Sequence, residues 1–72
     1  SLPHSSRVQY DVTRRVSAAE LQPGDLVFYY SPISHVAMYI GNGMIVHAPN
    51  SRSVVRTASM GYMGTPVGYG RP

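Results

Sequence analysis

Two histidines are the residues of this sequence best suited to do chemistry. His35 and His47 lie twelve positions apart, near the two ends of the stretch SHVAMYIGNGMIVHAP. An imidazole can accept or donate a proton near neutral pH, and it is also a common metal ligand. Whether the two rings act together depends on the strands that carry them and on how those strands pair.

The segment from 35 to 48 predicts a β-hairpin. In residues 35–40 the apolar side chains Val36, Met38 and Ile40 alternate with a second set, His35, Ala37 and Tyr39. This alternation is typical of a half-buried strand. Gly41-Asn42-Gly43 supplies residues that tolerate positive φ in a turn. Residues 44–48 are mostly apolar, and Pro49 ends the ladder because it has no N–H to donate.

The loop length decides whether the two histidines share a face of the sheet. If residues 41–43 form a three-residue loop, Ile40 faces Met44, and both imidazoles project from one face as diagonal neighbours roughly 7–8 Å apart. If only Asn42-Gly43 form a type I′ turn, the register moves by one and His47 turns to the opposite face. We favour the three-residue loop with a bulge, because a glycine occupies its third position.

The remaining chain predicts an α+β fold, an antiparallel β-meander of four to five strands with a short N-terminal helix. The helix starts at Ser5 or Ser6 and runs towards Tyr10 or Val12, and Ser17–Glu20 forms one further helical turn. Residues 13–16 are interpreted as a connector. The expected strands are Leu26–Tyr30, His35–Ile40, Met44–Ala48 and Val54–Ala58, with a glycine-weakened fifth strand in 67–71. The near-continuous apolar character of the first strand predicts burial on both faces.

Composition limits the classes of function. The 72 residues make at most one small domain, and they include no cysteine for a disulfide or a thiolate zinc site. Its net charge of +3 comes from dispersed arginines, which gives little support for nucleic-acid binding. The spacing of the histidines is no metal signature, and Gly24-Asp25 is interpreted as a turn, so we expect neither a metal nor a cofactor. No apolar run approaches the ~20 residues of a membrane span.

Two motifs resemble a known family. L-x-P-G-D-L-V-F-Y (from Leu21 to Tyr29) and S-H-V-A-M-Y-I-G-N-G-x-x-V-H-A-P (from Ser34 to Pro49) are similar to the C-terminal half of the NlpC/P60 cysteine peptidases. The resemblance implies the sheet half of a papain-like domain. Residues 1–72 would then be the C-terminal part of a single NlpC/P60-like domain, without the helix that carries the catalytic Cys. It also implies cleavage of bacterial peptidoglycan stem peptides, at the bond between D-glutamate and a diamino acid, by a secreted or cell-wall protein.

The same resemblance implies roles for individual residues. His35 matches the catalytic base of the family and His47 the third, orienting residue, although His47 could instead be a buried histidine with satisfied hydrogen bonds. Ser5, Ser6 and Gln9 match a segment that lines the substrate groove, although helix capping explains the serines almost as well.

The nucleophile that the resemblance requires is absent from this sequence. The family carries it in a D-C-S-G motif, upstream of the segment that matches here. We therefore expect a partner segment, the upstream Cys-containing half of the domain. The alternative is a non-catalytic module that binds muropeptides or the cell wall. A small basic β-barrel is disfavoured because basic and aromatic residues do not interleave on one face. Arg52 and Arg56 are interpreted as a solvated face.

Overall fold

The computed structural model describes residues 6–47 and 55–72, with side chains from residue 9 onwards. Its elements are α1 (Ser6–Val12), β1 (Arg14–Val16), a 3₁₀ turn (Ala18–Glu20), β2 (Leu26–Tyr29), β3 (His35–Gly41), β4 (Met44–His47), β5 (Arg56–Ser59) and β6 (Gly68–Arg71). The short helix and the antiparallel sheet confirm the predicted α+β class. The expected strand residues Ala48 and Val54 lie outside the described residues.

Within 6–47 and 55–72 the strands form one six-stranded sheet in the order β1-β6-β2-β3-β4-β5, and the paired neighbours are antiparallel. The prediction of four to five strands was therefore wrong. The segment 13–16 was also misinterpreted as a connector, because Arg14–Val16 forms a strand that pairs with 69–71 at the far end of the chain. The meander holds only for β2 to β5, since β6 returns to lie between β1 and β2.

Strand β2 is the centre of the core. All four of its residues are buried, which confirms the predicted burial on both faces. The strand ends one residue earlier than predicted, because Tyr30 has φ of 73° and a residue in that left-handed region cannot continue an extended ladder. The next strand was expected from residue 54, but it begins at Arg56. Val55 is not part of the ladder, whose first pair is His47 with Arg56.

The two faces of the sheet are covered differently. On the first, which we call the histidine face, a core cluster of Val27, Tyr29, Ala37 and Ile45 packs under Met60 and Met63 of the loop after β5. Side chains alternate along a strand, so Phe28 points to the opposite face. There it meets Tyr10 of α1, ring edge to ring face, with centroids 5.0 Å apart. On that opposite face Met38 and Ile40 each remain 44% exposed.

The glycines of β6 allow the N-terminal segment to approach the sheet. A Cβ on Gly70 would lie 2.1 Å from Oγ1 of Thr13, and one on Gly68 would lie 2.6 Å from the ring of Tyr10. Any side chain at these positions would displace the segment that follows α1 or the aromatic ring that α1 supplies. The glycines that seemed only to weaken this strand are therefore required by the packing.

An ion pair ties the start of β2 to the end of β6. Asp25 forms the expected turn, with its backbone N–H donating to the carbonyl of Gln22 at 3.0 Å. Its buried carboxylate also accepts hydrogen bonds from Arg71 Nε and Nη2, both at 2.8 Å, and from the backbone N–H of Gln22 at 2.9 Å. The Arg71 guanidinium holds the pKa of Asp25 below its usual value. The sequence-based interpretation as turn chemistry alone missed this second role.

Candidate active site

The hairpin has the two-residue turn of one predicted alternative and the strand register of the other. Asn42 and Gly43 have φ of 56° and 72°, and Gly41 pairs with Met44, so the turn has two residues rather than three. A bulge between Tyr39 and Gly41 then shifts the register, so that Tyr39 pairs with Ile45. One extra residue on β3 thus compensates for the shorter turn. The register beyond the bulge is the one expected for histidines on the same face.

The two imidazoles meet on the histidine face. Nε2 of His35 lies 3.0 Å from Nδ1 of His47, which is a hydrogen-bonding distance. The ring planes are nearly perpendicular, at 82°, with centroids 5.2 Å apart. His47 is buried, at 7% exposure, and His35 is half-buried. The predicted placement on neighbouring strands, with both rings on one face, is confirmed.

This contact constrains which ring nitrogen of His35 is available for chemistry. A neutral imidazole has one N–H donor and one acceptor nitrogen. If Nε2 of His35 donates to Nδ1 of His47, the lone pair of the His35 ring is at Nδ1. His47 then has its own proton on Nε2. This arrangement holds one ring still and leaves one basic nitrogen to react, as a general base requires.

Burial favours the neutral form of His35. Desolvation lowers the pKa of His35 below its usual 6.5, and the positive charge that His47 can carry lowers it further. Both effects penalise the imidazolium. At neutral pH His35 is therefore in the form that accepts a proton.

Tyr29 supports the histidine pair from β2. It pairs with His35 across the ladder, and the two ring centroids lie 6.1 Å apart. Its hydroxyl donates to the carbonyl of Met60 at 2.6 Å, which ties the loop after β5 to the sheet. Burial raises the pKa of Tyr29 to about 12, so this donor keeps its proton at physiological pH. Tyr29 is fully buried, as the predicted burial of this strand on both faces requires.

A cleft of about 800 Å³ opens beside the two imidazoles. Tyr30, Arg56 and Tyr62 are among the residues that line it. Arg56 pairs directly with His47 across β4 and β5, so its side chain projects from the histidine face. The interpretation of Arg56 as part of a solvated face was incomplete, since it is exposed but lines the cleft. Side chains alternate between the two faces along a strand, but the eight residues between β4 and β5 (48–55) left the pairing of these strands undetermined from the sequence.

Of the three predicted substrate-binding residues, only Gln9 has a side chain among those that the structure describes. Ser5 lies outside the described residues, and so does the side chain of Ser6. Gln9 lies on α1, whose Tyr10 packs on the opposite face, and it does not line the cleft. Substrate binding by these three residues stays a prediction.

The described residues contain neither a metal-binding cluster nor a membrane-spanning helix. Across 6–47 and 55–72, no three or more His, Cys, Asp or Glu side chains are placed to hold a metal ion. The helices within those ranges include none that is long and apolar enough to cross a membrane.

The fold and the site together define an α+β domain whose antiparallel sheet presents a hydrogen-bonded histidine pair beside a cleft. The chain belongs to the NlpC/P60 family, which its residues 1–67 match. It is 43% identical over 74 aligned residues to the probable endopeptidase p60 of Listeria innocua, covering 99% of this chain but 16% of that protein. The chain thus spans about a sixth of that relative.

Solved structures share the fold. The peptidoglycan hydrolase RipB of Mycobacterium tuberculosis superposes with a TM-score of 0.82 at 34% identity, covering 97% of this chain and 36% of RipB. RipD of the same organism, described as a non-catalytic NlpC/p60 domain protein adapted to peptidoglycan binding, gives a TM-score of 0.80 at 32% identity. The superposition covers 99% of this chain and 54% of RipD. The family thus includes proteins described as hydrolases and one described as a binder.

Proposed function

We propose that this chain supplies the histidine half of a cysteine endopeptidase that cleaves peptidoglycan stem peptides at the bond between D-glutamate and a diamino acid. His35 is the general base and His47 holds its ring in place. The observation that carries the proposal is the 3.0 Å contact between Nε2 of His35 and Nδ1 of His47 at the wall of an open cleft. The protein acts outside the cell or in the cell wall, where this substrate is found.

The proposed chemistry follows from the free nitrogen of His35. Nδ1 takes the proton of a thiol, and the thiolate attacks the carbonyl carbon of the scissile amide. The proton then passes to the leaving amine, and water hydrolyses the resulting thioester. The 72 residues contain no cysteine. In this proposal the thiol comes from a further segment of polypeptide, the Cys-containing half of the domain.

The test uses the complete natural polypeptide that contains this sequence. It is incubated with a stem peptide that includes the D-glutamate–diamino acid bond, and the products are identified by mass spectrometry. We expect cleavage at that bond, which a thiol-alkylating reagent abolishes. His35→Ala should also abolish it, because without the base the thiol stays largely protonated at its usual pKa of about 8.5.

A matched control separates the base from a general effect of losing a histidine. His4→Ala makes the same substitution at the third histidine of the chain, which we expect to be a solvent or capping residue. It should retain turnover. Undiminished cleavage by the His35 variant would show that the assignment of the base is wrong.

A second candidate is a non-catalytic module that binds muropeptides. It is favoured by the likeness to RipD and by the lack of a cysteine in the 72 residues. It predicts that the complete polypeptide binds the stem peptide and releases no product. The same incubation, read by affinity as well as by mass, distinguishes the two candidates.

A further inference from the structure

Arg56 occupies a defined position beside the histidine pair. Tyr29 pairs with His35 across β2 and β3, and His47 pairs with Arg56 across β4 and β5. These four residues therefore follow one another over four adjacent strands on the histidine face. Directly paired residues have Cβ atoms about 4.5–5.5 Å apart, so the Arg56 side chain starts next to the orienting imidazole.

The charges around the cleft are unbalanced. The sequence has three carboxylate side chains, and none lines the cleft. Asp11 faces Arg15 at 4.0 Å, Glu20 accepts hydrogen bonds from Ser17, and Asp25 is bound to Arg71. Among the described residues Arg56 has no acidic partner. A cleft whose wall carries a guanidinium and no acid favours an anionic group on its ligand.

We propose that Arg56 binds a free carboxylate of the stem peptide next to the scissile bond and so determines which peptides the cleft accepts. The identity of the ligand rests on the proposed function, but the role of Arg56 does not depend on cleavage. A guanidinium can hold a carboxylate through two parallel hydrogen bonds, which fixes the orientation of the peptide as well as its position. The carboxylate is either the one on D-glutamate that is not in the scissile bond or one on the diamino acid.

The experiment measures binding by the complete natural polypeptide to a stem peptide whose scissile amide is replaced by a ketomethylene group, so that no turnover occurs. The peptide is made in three forms: with its carboxylates free, with the D-glutamate carboxylate as a carboxamide, and with the diamino-acid carboxylate as a carboxamide. The variants are Arg56→Gln, Arg56→Lys and the control Arg14→Gln. Arg14 is also exposed, but it lies on β1 at the other edge of the sheet.

We expect Arg56→Gln to raise the Kd for the free-carboxylate peptide about tenfold, because the amide N–H can keep one hydrogen bond but not the charge or the second bond. Arg56→Lys should fall between the Gln variant and the unmodified protein, because it keeps the charge but not the two parallel bonds. Arg14→Gln should leave the Kd within twofold. Amidation of one carboxylate should weaken binding to the unmodified protein by the same factor and should abolish the effect of Arg56→Gln, which identifies the group that is bound.

Each outcome is decisive. Equal Kd values for Arg56→Gln and Arg14→Gln, or binding that neither amidation affects, would overturn the role of Arg56, even if the cleavable peptide is hydrolysed. Failure of all three peptides to bind would overturn it as well. If binding depends on Arg56 and on one carboxylate while the cleavable peptide stays intact, Arg56 keeps its role and the endopeptidase proposal is wrong.

Discussion

Replacing Asp25 with asparagine removes the negative charge from a buried ion pair and keeps the size of the side chain. Asp25 is 3% exposed, and its two oxygens accept bonds from both Nε and Nη2 of Arg71. Asparagine has one acceptor oxygen, so at least one of the bonds from Arg71 is lost and the guanidinium loses the carboxylate charge it is hydrogen-bonded to. The connection between the start of β2 and the end of β6 should therefore weaken.

The size of the loss follows from the burial of the two partners. Breaking a fully buried ion pair costs about 3–5 kcal/mol. Water reaches Arg71, whose side chain is 28% exposed, and the asparagine keeps part of the hydrogen bonding. We therefore expect the free energy of unfolding to fall by roughly 2–3 kcal/mol, a large part of the 5–15 kcal/mol that stabilises a typical domain.

Hydrogen exchange read by mass spectrometry on the complete polypeptide measures this loss locally. The slowest amides of β2 and β6 should exchange about 30- to 150-fold faster in the Asp25→Asn variant. Asp11→Asn is the matched control, because it makes the same substitution in the half-exposed pair with Arg15 and should cost less than about 0.5 kcal/mol. Equal protection in the two variants would refute the reasoning.

The pH dependence gives an independent check on Asp25. Its pKa in the folded chain lies below the 3.8 of the free group, so the ion pair contributes its full stability above pH 3.8. That contribution is lost as the pH falls through the folded pKa. The difference in protection between the unmodified protein and the Asp25→Asn variant should therefore shrink below about pH 4. A difference that stays constant into strong acid would show that the carboxylate charge is not its source.

Two further predictions concern the histidines and the opposite face. His47→Ala should lower kcat for stem-peptide cleavage less than His35→Ala does, since it misorients the base without deleting it. His47→Asn should retain more activity than His47→Ala because its amide oxygen can accept the Nε2–H of His35; equal rates would contradict the orienting role. The 72-residue chain made alone should self-associate, because apolar side chains such as Met38 and Ile40 remain 44% exposed on the opposite face of the sheet. Sedimentation as a monomer together with a cooperative thermal transition would contradict this.

The sequence predicted what depends on local patterns. The alternation around His35, the turn glycines and the apolar run of β2 are each read from neighbouring residues. They were sufficient to place the two histidines on one face. The hairpin shows a limit, since a two-residue turn with a bulge and a three-residue loop give the same register beyond the bulge. Periodicity alone cannot distinguish them.

The misinterpreted features all depend on partners distant in sequence. Arg14–Val16 is too short to show a strand pattern, and it exists as a strand because the chain end returns to pair with it. Asp25 looked like a turn residue because its ion-pair partner, Arg71, lies 46 residues later. Arg56 was assigned to solvent because only the β4–β5 register brings it to the cleft. A charge placed directly before the apolar run of β2 was the one local hint of the buried ion pair.

The most direct test of the account is the ring ¹⁵N NMR titration of His35 in the complete polypeptide. We expect a neutral ring protonated at Nε2, which donates to His47, with its lone pair on Nδ1. We also expect a pKa below 6.5, since burial and the neighbouring imidazole both disfavour the charged form. A neutral ring protonated at Nδ1, or a pKa above 6.5, would contradict the claim that His35 is a base held ready by His47.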